Sequence, residues 1–387
     1  MKRYKLLNNV LGWVVFVIAA VTYILTLEST ASFWDCGEFI ASGYKLEVGH
    51  PPGNPIFMLT ARFFANFASS PSEVAYMVNL MSGLLSAATI LLLFWTITRL
   101  AQKIVLREGE TEETMSLGQM IAILGCGLVG ALAYAWSDTF WFSAVEGEVY
   151  AYSSFCTALV FWLILKWESV ADLPHANRYI ILIAYIIGVS IAVHLLNLLC
   201  IPAIVLVYYY RKYKNTDLKG SLIALLVSFV LIVLLLYGLV PGFVEVASWV
   251  ELLFVNVFHL PFNSGVVFYF FLIVGVIAWA IYETYAQRSD KLIKISFLIS
   301  IVLVGIPFIG DGYIIGIVLT AALAYYLFTR KKLAVVAMNT ILLSLFVIFI
   351  GYSSYALIVI RSTANTPMDQ NSPEDIFSLG GYLNREQ

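Results

Sequence analysis

Residues 179–210 read YIILIAYIIGVSIAVHLLNLLCIPAIVLVYYY and contain no Asp, Glu, Lys or Arg. As one helix this run would be about 48 Å long, which exceeds the roughly 30 Å hydrocarbon core of a bilayer. The imidazole of His194 and the amide of Asn197 interrupt the run near its middle. The sequence therefore predicts two short membrane helices, 179–193 and 196–210, with a break at this polar pair.

The composition of the whole chain agrees with a membrane protein. Hydrophobic residues make up 61% of the 387 residues and charged residues only 12%, whereas soluble domains are about 25% charged. A formal net charge of −2 argues against a nucleic-acid partner. The cysteines show neither a disulfide framework nor a metal-type spacing. We therefore expect an all-α polytopic membrane protein, and no cluster of metal ligands is convincing in the sequence.

Further apolar runs long enough to cross a bilayer follow along the chain. Together with the two short helices they give about 11 transmembrane helices. The predicted spans are 11–27, 74–100, 117–136, 149–167, 179–193, 196–210, 222–240, 266–282, 295–309, 313–328 and 333–360. Between them, residues 28–73 form a long loop one, residues 137–148 a short loop two, and residues 241–265 a third loop on the same side.

The distribution of basic residues orients these spans. With the N-terminus in the cytoplasm, 18 of the 22 Lys and Arg residues lie on the cytoplasmic side, as the positive-inside rule requires. The C-terminus is then extracytoplasmic. We expect one transmembrane domain over residues 1–360, with loop one outside the membrane, and the start of an extracytoplasmic tail over residues 361–387.

Loop one carries most of the ionisable groups outside the spans. Asp35 and Glu38 are three residues apart and share one face if this segment is helical. Two carboxylates at one site can differ in pKa, which suits acid–base catalysis. However, Ser32-x-x-Asp35 is also a capping-box pattern. Spacing alone leaves open whether Asp35 is a catalytic group or a helix cap.

The segment His50-Pro51-Pro52-Gly53-Asn54-Pro55 predicts a rigid turn before a helix over residues 55–68. Asn54 is suited to the N-cap and Pro55 to the first helical position. Arg62 is the only charged residue of this aromatic-rich helix, which favours a position at the membrane interface. The turn either only docks the helix, which we favour on sequence alone, or aims His50 at a site.

Other polar groups near the outer surface also allow two interpretations. Glu146 and Glu148 precede the fourth span, where they either favour the helix dipole or form a second acidic cluster. His194 and Asn197 either make a helix–helix contact or mark a functional site. Arg361 at the end of the last span either snorkels to headgroups or holds a lipid phosphate.

Taken together, several motifs resemble a known family. They are SFWDCGEF, GHPPGNP, WFSAVEGEVYA, GVSIAVHLLNLL and the tail NSPEDIFSLGGYLNREQ. They are similar to a bacterial family formerly labelled a domain of unknown function, which itself resembles a eukaryotic transmembrane protein O-mannosyltransferase. Both are GT-C glycosyltransferases, and the resemblance covers essentially the whole chain. It implies a GT-C-like fold and transfer of a sugar from a polyprenyl-phosphate donor.

The resemblance also implies roles for individual residues. An acidic residue in the first outer loop acts as general base in such enzymes, and Asp35 in WDCGEF is the matching position. Glu38 would assist it, and the anomeric centre would be inverted. Cations would stabilise the leaving lipid phosphate, with Arg361 and His194 first and Lys45 and Arg62 behind them. The remaining groups expected to line the sugar or acceptor site are His50, Glu146, Glu148 and Asn197.

The expected acceptors are Ser and Thr hydroxyls of exported proteins, reached from the periplasmic face of a bacterial inner membrane. Family members continue into a large soluble part, so the end at Gln387 suggests a truncated chain. A transporter or flippase of lipid-linked or anionic solutes is the alternative of another class, although the nearly charge-free spans and the lack of an internal repeat disfavour it. A transferase with a glycan or lipid acceptor, or a membrane scaffold, are further alternatives.

Overall fold

The computed structural model describes residues 2–310, 313–332 and 334–386, and no strand occurs among them. The α-helices, in chain order, are α1 Lys2–Leu25, α2 Cys36–Lys45, α3 Pro55–Ala65, α4 Val74–Val105, α5 Leu117–Ala135, α6 Asp138–Ala144, α7 Val149–Val170, α8 Arg178–Ile191, α9 Ile201–Lys212, α10 Leu218–Val233, α11 Val240–Asn256, α12 Ser264–Ala286, α13 Asp290–Leu303, α14 Tyr313–Thr329, α15 Val335–Tyr352, α16 Ala356–Ser362 and α17 Ile376–Asn384.

The helices belong to two compact units. The amino-terminal unit comprises Met1–Gly49, Asn54–Leu173 and Ser190–Cys200. The carboxy-terminal unit comprises His50–Gly53, Pro174–Val189 and Ile201–Gln387. Loop one, apart from its short His50–Gly53 turn, therefore lies in the amino-terminal unit.

Helix α4 is the centre of the amino-terminal unit and packs against α1, α5 and α7. Small residues let these helices approach closely, as is common in membrane bundles. At Gly127 of α5, an added Cβ would lie 2.5 Å from the Thr98 side chain of α4. At Gly12 of α1, it would lie 2.6 Å from the Trp95 indole. A larger residue at either position would have to displace these side chains.

The two short helices of loop one, α2 and α3, pack on each other and on the beginning of α4. Their apolar side chains join a small buried cluster with residues of α4. Its fully buried members include Phe57, Ala61, Val78 and Met81. Because this cluster contains residues of all three helices, loop one is a folded part of the unit with a fixed relation to α4.

Eight helical stretches among the described residues are long and apolar enough to cross a membrane, which confirms an all-α polytopic membrane protein. The break in the opening stretch is also confirmed. Helix α8 ends at Ile191, a 3₁₀ turn covers Leu195–Cys200, and α9 begins at Ile201. The predicted spans 179–193 and 313–328 correspond to the shorter apolar helices α8 and α14. The orientation of the N-terminus stays a prediction.

Two of the predicted segments differ from the structure. The predicted loop over residues 241–265 is largely helical, because α10 continues through a π-helical stretch, Leu234–Leu239, into α11. Pro241 lies at the start of α11, directly after this π-helical stretch. The predicted span 295–309 is wrong in its limits, since α13 ends at Leu303 and has only 14 residues.

Candidate active site in loop one

Asp35 lies immediately before α2, at its N-cap position, and its side chain makes no capping hydrogen bond. The carboxylate is exposed to solvent. The capping-box interpretation is therefore not realised at this helix. The preceding residue, Trp34, has a left-handed backbone with φ of 60°, which is uncommon for a bulky residue. With its neighbour Phe33 it forms an exposed aromatic pair beside Asp35, the two side chains being 88% and 76% exposed.

Glu38 stands on the first turn of α2, and the carboxylate oxygens of Asp35 and Glu38 come within 4.8 Å of each other. The spacing prediction that both acids share one face is thus realised in the structure. Glu38 is half-buried, because the backbone of Gly49 packs against its carboxylate. A Cβ at Gly49 would lie 2.6 Å from the Oε1 atom of Glu38. The lack of a side chain at Gly49 is what leaves room for the Glu38 carboxylate.

Glu146, in the connection between α6 and α7, is a buried carboxylate that is 3% exposed. It accepts hydrogen bonds from the Ser32 hydroxyl and the Cys36 thiol. Burial raises the pKa of Glu146 above its ordinary value, and the nearby charge of Glu28 adds to this rise. One oxygen, Oε2, has no hydrogen-bond partner among the described residues. Glu146 thus stands directly behind α2, as the prediction of a second acidic cluster near loop one requires.

Cys36, the first residue of α2, links this buried acid to Asp35. Its side chain is fully buried. Burial raises the pKa of the Cys36 thiol, and the charges of Glu146 and Glu148 raise it further. The thiol therefore stays protonated and neutral at physiological pH, which makes it a donor to Glu146 and not a nucleophile.

Glu148 and Glu47 are two further buried carboxylates of this unit. The Oε2 atom of Glu148 accepts a hydrogen bond of 3.1 Å from the backbone N–H of Val149. This contact matches the interpretation of Glu148 as a stabiliser of the start of α7. Glu47 follows α2, is 4% exposed, and its Oε1 atom has no hydrogen-bond partner among the described residues. Sequence reasoning left Glu47 out of the candidate site, although its position just after a short polar helix was a usable signal.

The segment before Asp35 is held in place by backbone contacts. The amide nitrogen of Asn79 in α4 donates to the carbonyls of Glu28 and Thr30, at 2.7 and 3.1 Å. The backbone N–H of Glu28 donates to the carbonyl of Val145, at 3.1 Å. These bonds join loop one to the α6–α7 connection that carries Glu146. The segment with Asp35 and the segment with Glu146 are therefore held next to each other.

The two loop-one cations occupy different positions. Arg62 in α3 donates to the backbone carbonyl of Tyr44 and lies 5.4 Å from the centre of the Tyr44 ring. Its guanidinium thus ties α3 to the last turn of α2. Lys45 ends α2 and is exposed. The structure places Arg62 in a supporting contact and leaves Lys45 at the surface.

His194 and Asn197 lie in the break after α8. The Nδ1 atom of His194 accepts a hydrogen bond of 3.1 Å from the Leu196 N–H, and its ring packs edge-on against Tyr150. Asn197 is 1% exposed, and neither polar atom of its amide has a partner among the described residues. Buried amides are nearly always hydrogen-bonded. Asn197 is therefore the clearest unexplained polar group of this break.

Two predicted site residues belong to the carboxy-terminal unit. The carbonyl of His50 accepts hydrogen bonds from the Gly53 N–H at 3.0 Å and from the Tyr382 hydroxyl at 3.3 Å. The Tyr355 hydroxyl donates to the Gly53 carbonyl at 3.4 Å. These contacts match the interpretation of this turn as a rigid connector. Arg361 is half-buried in the last turn of α16.

Known proteins show similarity to the part of the chain that carries this site. Residues 35–217 match the family model of the protein O-mannosyl-transferase TMEM260 N-terminal domain. Protein O-mannosyl-transferase TMEM260 of Mus musculus is 27% identical over 209 residues, which is 54% of this chain and 27% of the mouse protein. The Dictyostelium discoideum protein O-mannosyl-transferase tmem260 is 23% identical over 189 residues, 47% of this chain and 20% of that protein.

The matched stretches thus cover about a quarter or less of the length of these relatives. No solved structure matches the chain. The matched region begins at Asp35 and includes both acidic segments and the break at His194. The resemblance inferred from the sequence motifs is therefore confirmed for about half of the chain, which is similar there to a membrane family of the protein O-mannosyltransferase type.

Proposed function

We propose that this protein is a glycosyltransferase that moves a sugar, of the mannose type, from a polyprenyl-phosphate donor to Ser or Thr hydroxyls of exported proteins. The single observation that carries the proposal is the Asp35 carboxylate. It is exposed, it is not used as a helix cap, and it stands within 4.8 Å of Glu38. The relatives named as protein O-mannosyl-transferases supply the reaction class.

Asp35 acts as the general base. Its carboxylate takes the proton of the acceptor hydroxyl, and the hydroxyl oxygen forms a bond to the anomeric carbon of the sugar. The bond from that carbon to the phosphate oxygen breaks, and its electron pair leaves with the lipid phosphate. Because attack and departure take place on opposite faces, the anomeric centre is inverted. General-base catalysis of this kind contributes roughly 10²- to 10⁴-fold to a rate.

Glu38 and the buried residues behind it position Asp35. The Glu38 carboxylate stands within 4.8 Å of the Asp35 carboxylate. Gly49 and Glu146 fix the position of this acidic pair from two sides, because one packs on Glu38 and the other is bonded to Cys36. Glu38 is thus a positioning residue in the proposal.

The remaining predicted residues have subordinate roles. Asn197 is the best placed of them to bind a sugar hydroxyl, because its buried amide has unused donors and acceptors. His194, Lys45 and Arg361 stay proposals for contacts to the leaving phosphate. Arg62 acts by supporting α2. The site is proposed to face the periplasm, in line with the positive-inside distribution of charge.

The test uses membranes that contain the full chain, a polyprenyl-phosphate [³H]mannose donor and a peptide rich in Ser and Thr. We expect radioactivity in the peptide with the wild-type chain and a loss of roughly 10²- to 10⁴-fold with Asp35→Asn. The matched control is Glu73→Gln, which neutralises an exposed carboxylate of the same loop that bonds to the Ser69 N–H.

Three outcomes would count against the proposal. Full transfer by Asp35→Asn removes Asp35 as the base. Label that reaches a lipid or a glycan but no peptide replaces the protein acceptor. Movement of the intact donor across the membrane without transfer favours a transporter. The anomeric configuration of the linked sugar, read by NMR, decides between inversion and retention.

A further inference from the structure

A cavity of about 480 Å³ opens at the other end of the amino-terminal unit. It lies between the first turns of α1 and the last turns of α4 and α7, with Glu112 of the α4–α5 connection at its rim. The α4 residues that line this cavity, Trp95 to Gln102, lie about 32–42 Å along the helix axis from Val74, where loop one ends. The candidate active site and this cavity are thus separate features.

The cavity is basic. Its lining includes the cations Lys5 of α1, Arg99 of α4 and Lys166 of α7, against one carboxylate, that of Glu112. The Lys5 ammonium lies 3.8 Å from the Glu112 carboxylate, and the Arg99 guanidinium donates to the Gln102 amide oxygen at 3.3 Å. Three basic side chains against one carboxylate in the lining favour an anionic ligand.

Two tryptophans form the apolar wall of the cavity. The rings of Trp95 and Trp162 are 5.8 Å apart, and the Lys166 ammonium stands 4.8 Å from the centre of the Trp162 ring. The Trp95 indole donates to the Asn8 carbonyl at 3.4 Å, which fixes its orientation. Trp residues of this kind sit at the level of lipid headgroups. The wall thus combines an apolar surface with fixed charge, as an interfacial site does.

We propose that this cavity binds the phosphate-bearing headgroup of an anionic phospholipid from the leaflet that meets this end of the unit. Lys5, Arg99 and Lys166 hold the phosphate, and the two indoles pack against the glycerol and the upper acyl chain. A volume of about 480 Å³ falls within the range of roughly 300–1,000 Å³ typical of small-molecule sites. Basic pockets between transmembrane helices are known to bind anionic headgroups.

The three cations come from three different helices, which gives the bound lipid a structural consequence. One phosphate contacted by Lys5, Arg99 and Lys166 joins the ends of α1, α4 and α7. The lipid therefore stabilises the folded unit by binding it and not the unfolded chain.

The experiment measures lipid retention by the full chain in neutral detergent micelles, by native mass spectrometry. Phosphatidylglycerol and phosphatidylcholine with identical acyl chains are offered together. We expect selective retention of phosphatidylglycerol and a loss of roughly tenfold or more when Lys5→Gln, Arg99→Gln and Lys166→Gln are combined. The matched control combines Lys212→Gln, Lys214→Gln and Lys219→Gln, which removes the same charge from another exposed basic cluster, and should retain the lipid.

A gain-of-affinity variant keeps the test informative if the triple variant does not fold. Glu112→Gln removes the one carboxylate of the cavity, so the affinity for phosphatidylglycerol should rise severalfold. Equal retention by the wild type and the folded cavity variant, or an unchanged affinity in Glu112→Gln, overturns the proposal. Inorganic phosphate at millimolar concentration should not displace the lipid. If it does, and phosphatidylglycerol shows no advantage over phosphatidylcholine, the ligand is a free phosphate and the lipid proposal is wrong.

Discussion

The two ends of the amino-terminal unit handle charge in opposite ways. At the loop-one end, here called the acidic end, the carboxylates include those of Asp35, Glu38, Glu47, Glu146 and Glu148. The last three are no more than 5% exposed. At the other end, here called the basic end, Lys5, Lys103 and their acidic partners Glu112 and Glu168 form ion pairs near the surface.

This difference indicates which end of the unit keeps charged groups that lower its stability. Surface ion pairs follow the ordinary rules of solvation and contribute little to stability. Buried carboxylates with unsatisfied oxygens, as at Glu47 and Glu146, cost free energy of folding. Proteins retain such groups mainly at sites that use them. The acidic end is therefore where we place the chemistry, and the basic end is where we place lipid binding.

The largest expected effect separates the two ends by their readouts. Asp35→Asn should lower sugar transfer by roughly 10²- to 10⁴-fold and leave retention of phosphatidylglycerol unchanged. The combined Lys5, Arg99 and Lys166 variant should do the reverse, with sugar transfer per folded molecule close to that of the wild type. Parallel transfer assays and mass spectra check both statements. If one variant lowers both readouts equally, the two ends are not independent.

A second prediction concerns the room left for Glu38. Gly49→Ala places a Cβ 2.6 Å from the Oε1 atom of Glu38, so this carboxylate has to leave its position beside Asp35. Transfer should fall by roughly tenfold, while the stability changes little because the displaced atom ends a flexible side chain. Gly37→Ala is the matched control, because a Cβ there has no heavy-atom contact closer than 3.9 Å. Equal activity of both variants would show that the spacing of the acids is unimportant.

The smallest expected effect is a difference in the pH dependence of stability. Burial raises the folded-state pKa of Glu146. The stability that this carboxyl contributes is therefore fully present below its unfolded-state pKa and is lost as the pH rises through its folded-state pKa. The backbone N–H of Arg107 and the amide of Gln119 donate to Glu110 at the basic end and lower its pKa. The stability that Glu110 contributes is present above its unfolded-state pKa and is lost as the pH falls through its folded-state pKa.

The two isosteric variants should therefore differ in sign. Glu146→Gln should raise the thermal stability at neutral pH and leave it nearly unchanged in acid. Glu110→Gln should lower it slightly at neutral pH, again with little effect in acid. Thermal unfolding of the full chain in micelles, monitored by tryptophan fluorescence between mildly acidic and neutral pH, checks this. A destabilised Glu146→Gln protein at neutral pH would contradict the assignment of Glu146 as a buried, strained acid.

The features that depend on local composition could be predicted from the sequence. The long apolar helices α4, α5 and α7 begin and end close to the predicted limits, because charged and turn-forming residues bound them. The break at His194 followed from the length of the apolar run and the polar pair within it. The shared face of Asp35 and Glu38 followed from helical spacing.

The features that the sequence did not predict depend on contacts between residues far apart in the chain. Pro241 looked like the end of a span, and only the π-helical stretch before it shows why the helix continues. Glu47 looked like an ordinary polar loop residue, and its burial results from packing of the folded loop. The Glu146 contacts with Ser32 and Cys36 join residues more than 100 positions apart, which no local pattern reveals.

The start of α12 depends on a side chain of α11, and this dependence affects how the two helices are inserted into the membrane. The fully buried Glu251 of α11 accepts hydrogen bonds from the backbone N–H groups of Asn263 and Val266, at 2.5 and 2.9 Å. The first backbone amides of α12 are thus capped by a carboxylate of α11, a helix that is synthesised earlier. A nascent chain that releases α12 into the bilayer before α11 has arrived there leaves those amides unpaired in lipid. The two helices should therefore leave the insertion machinery as a pair.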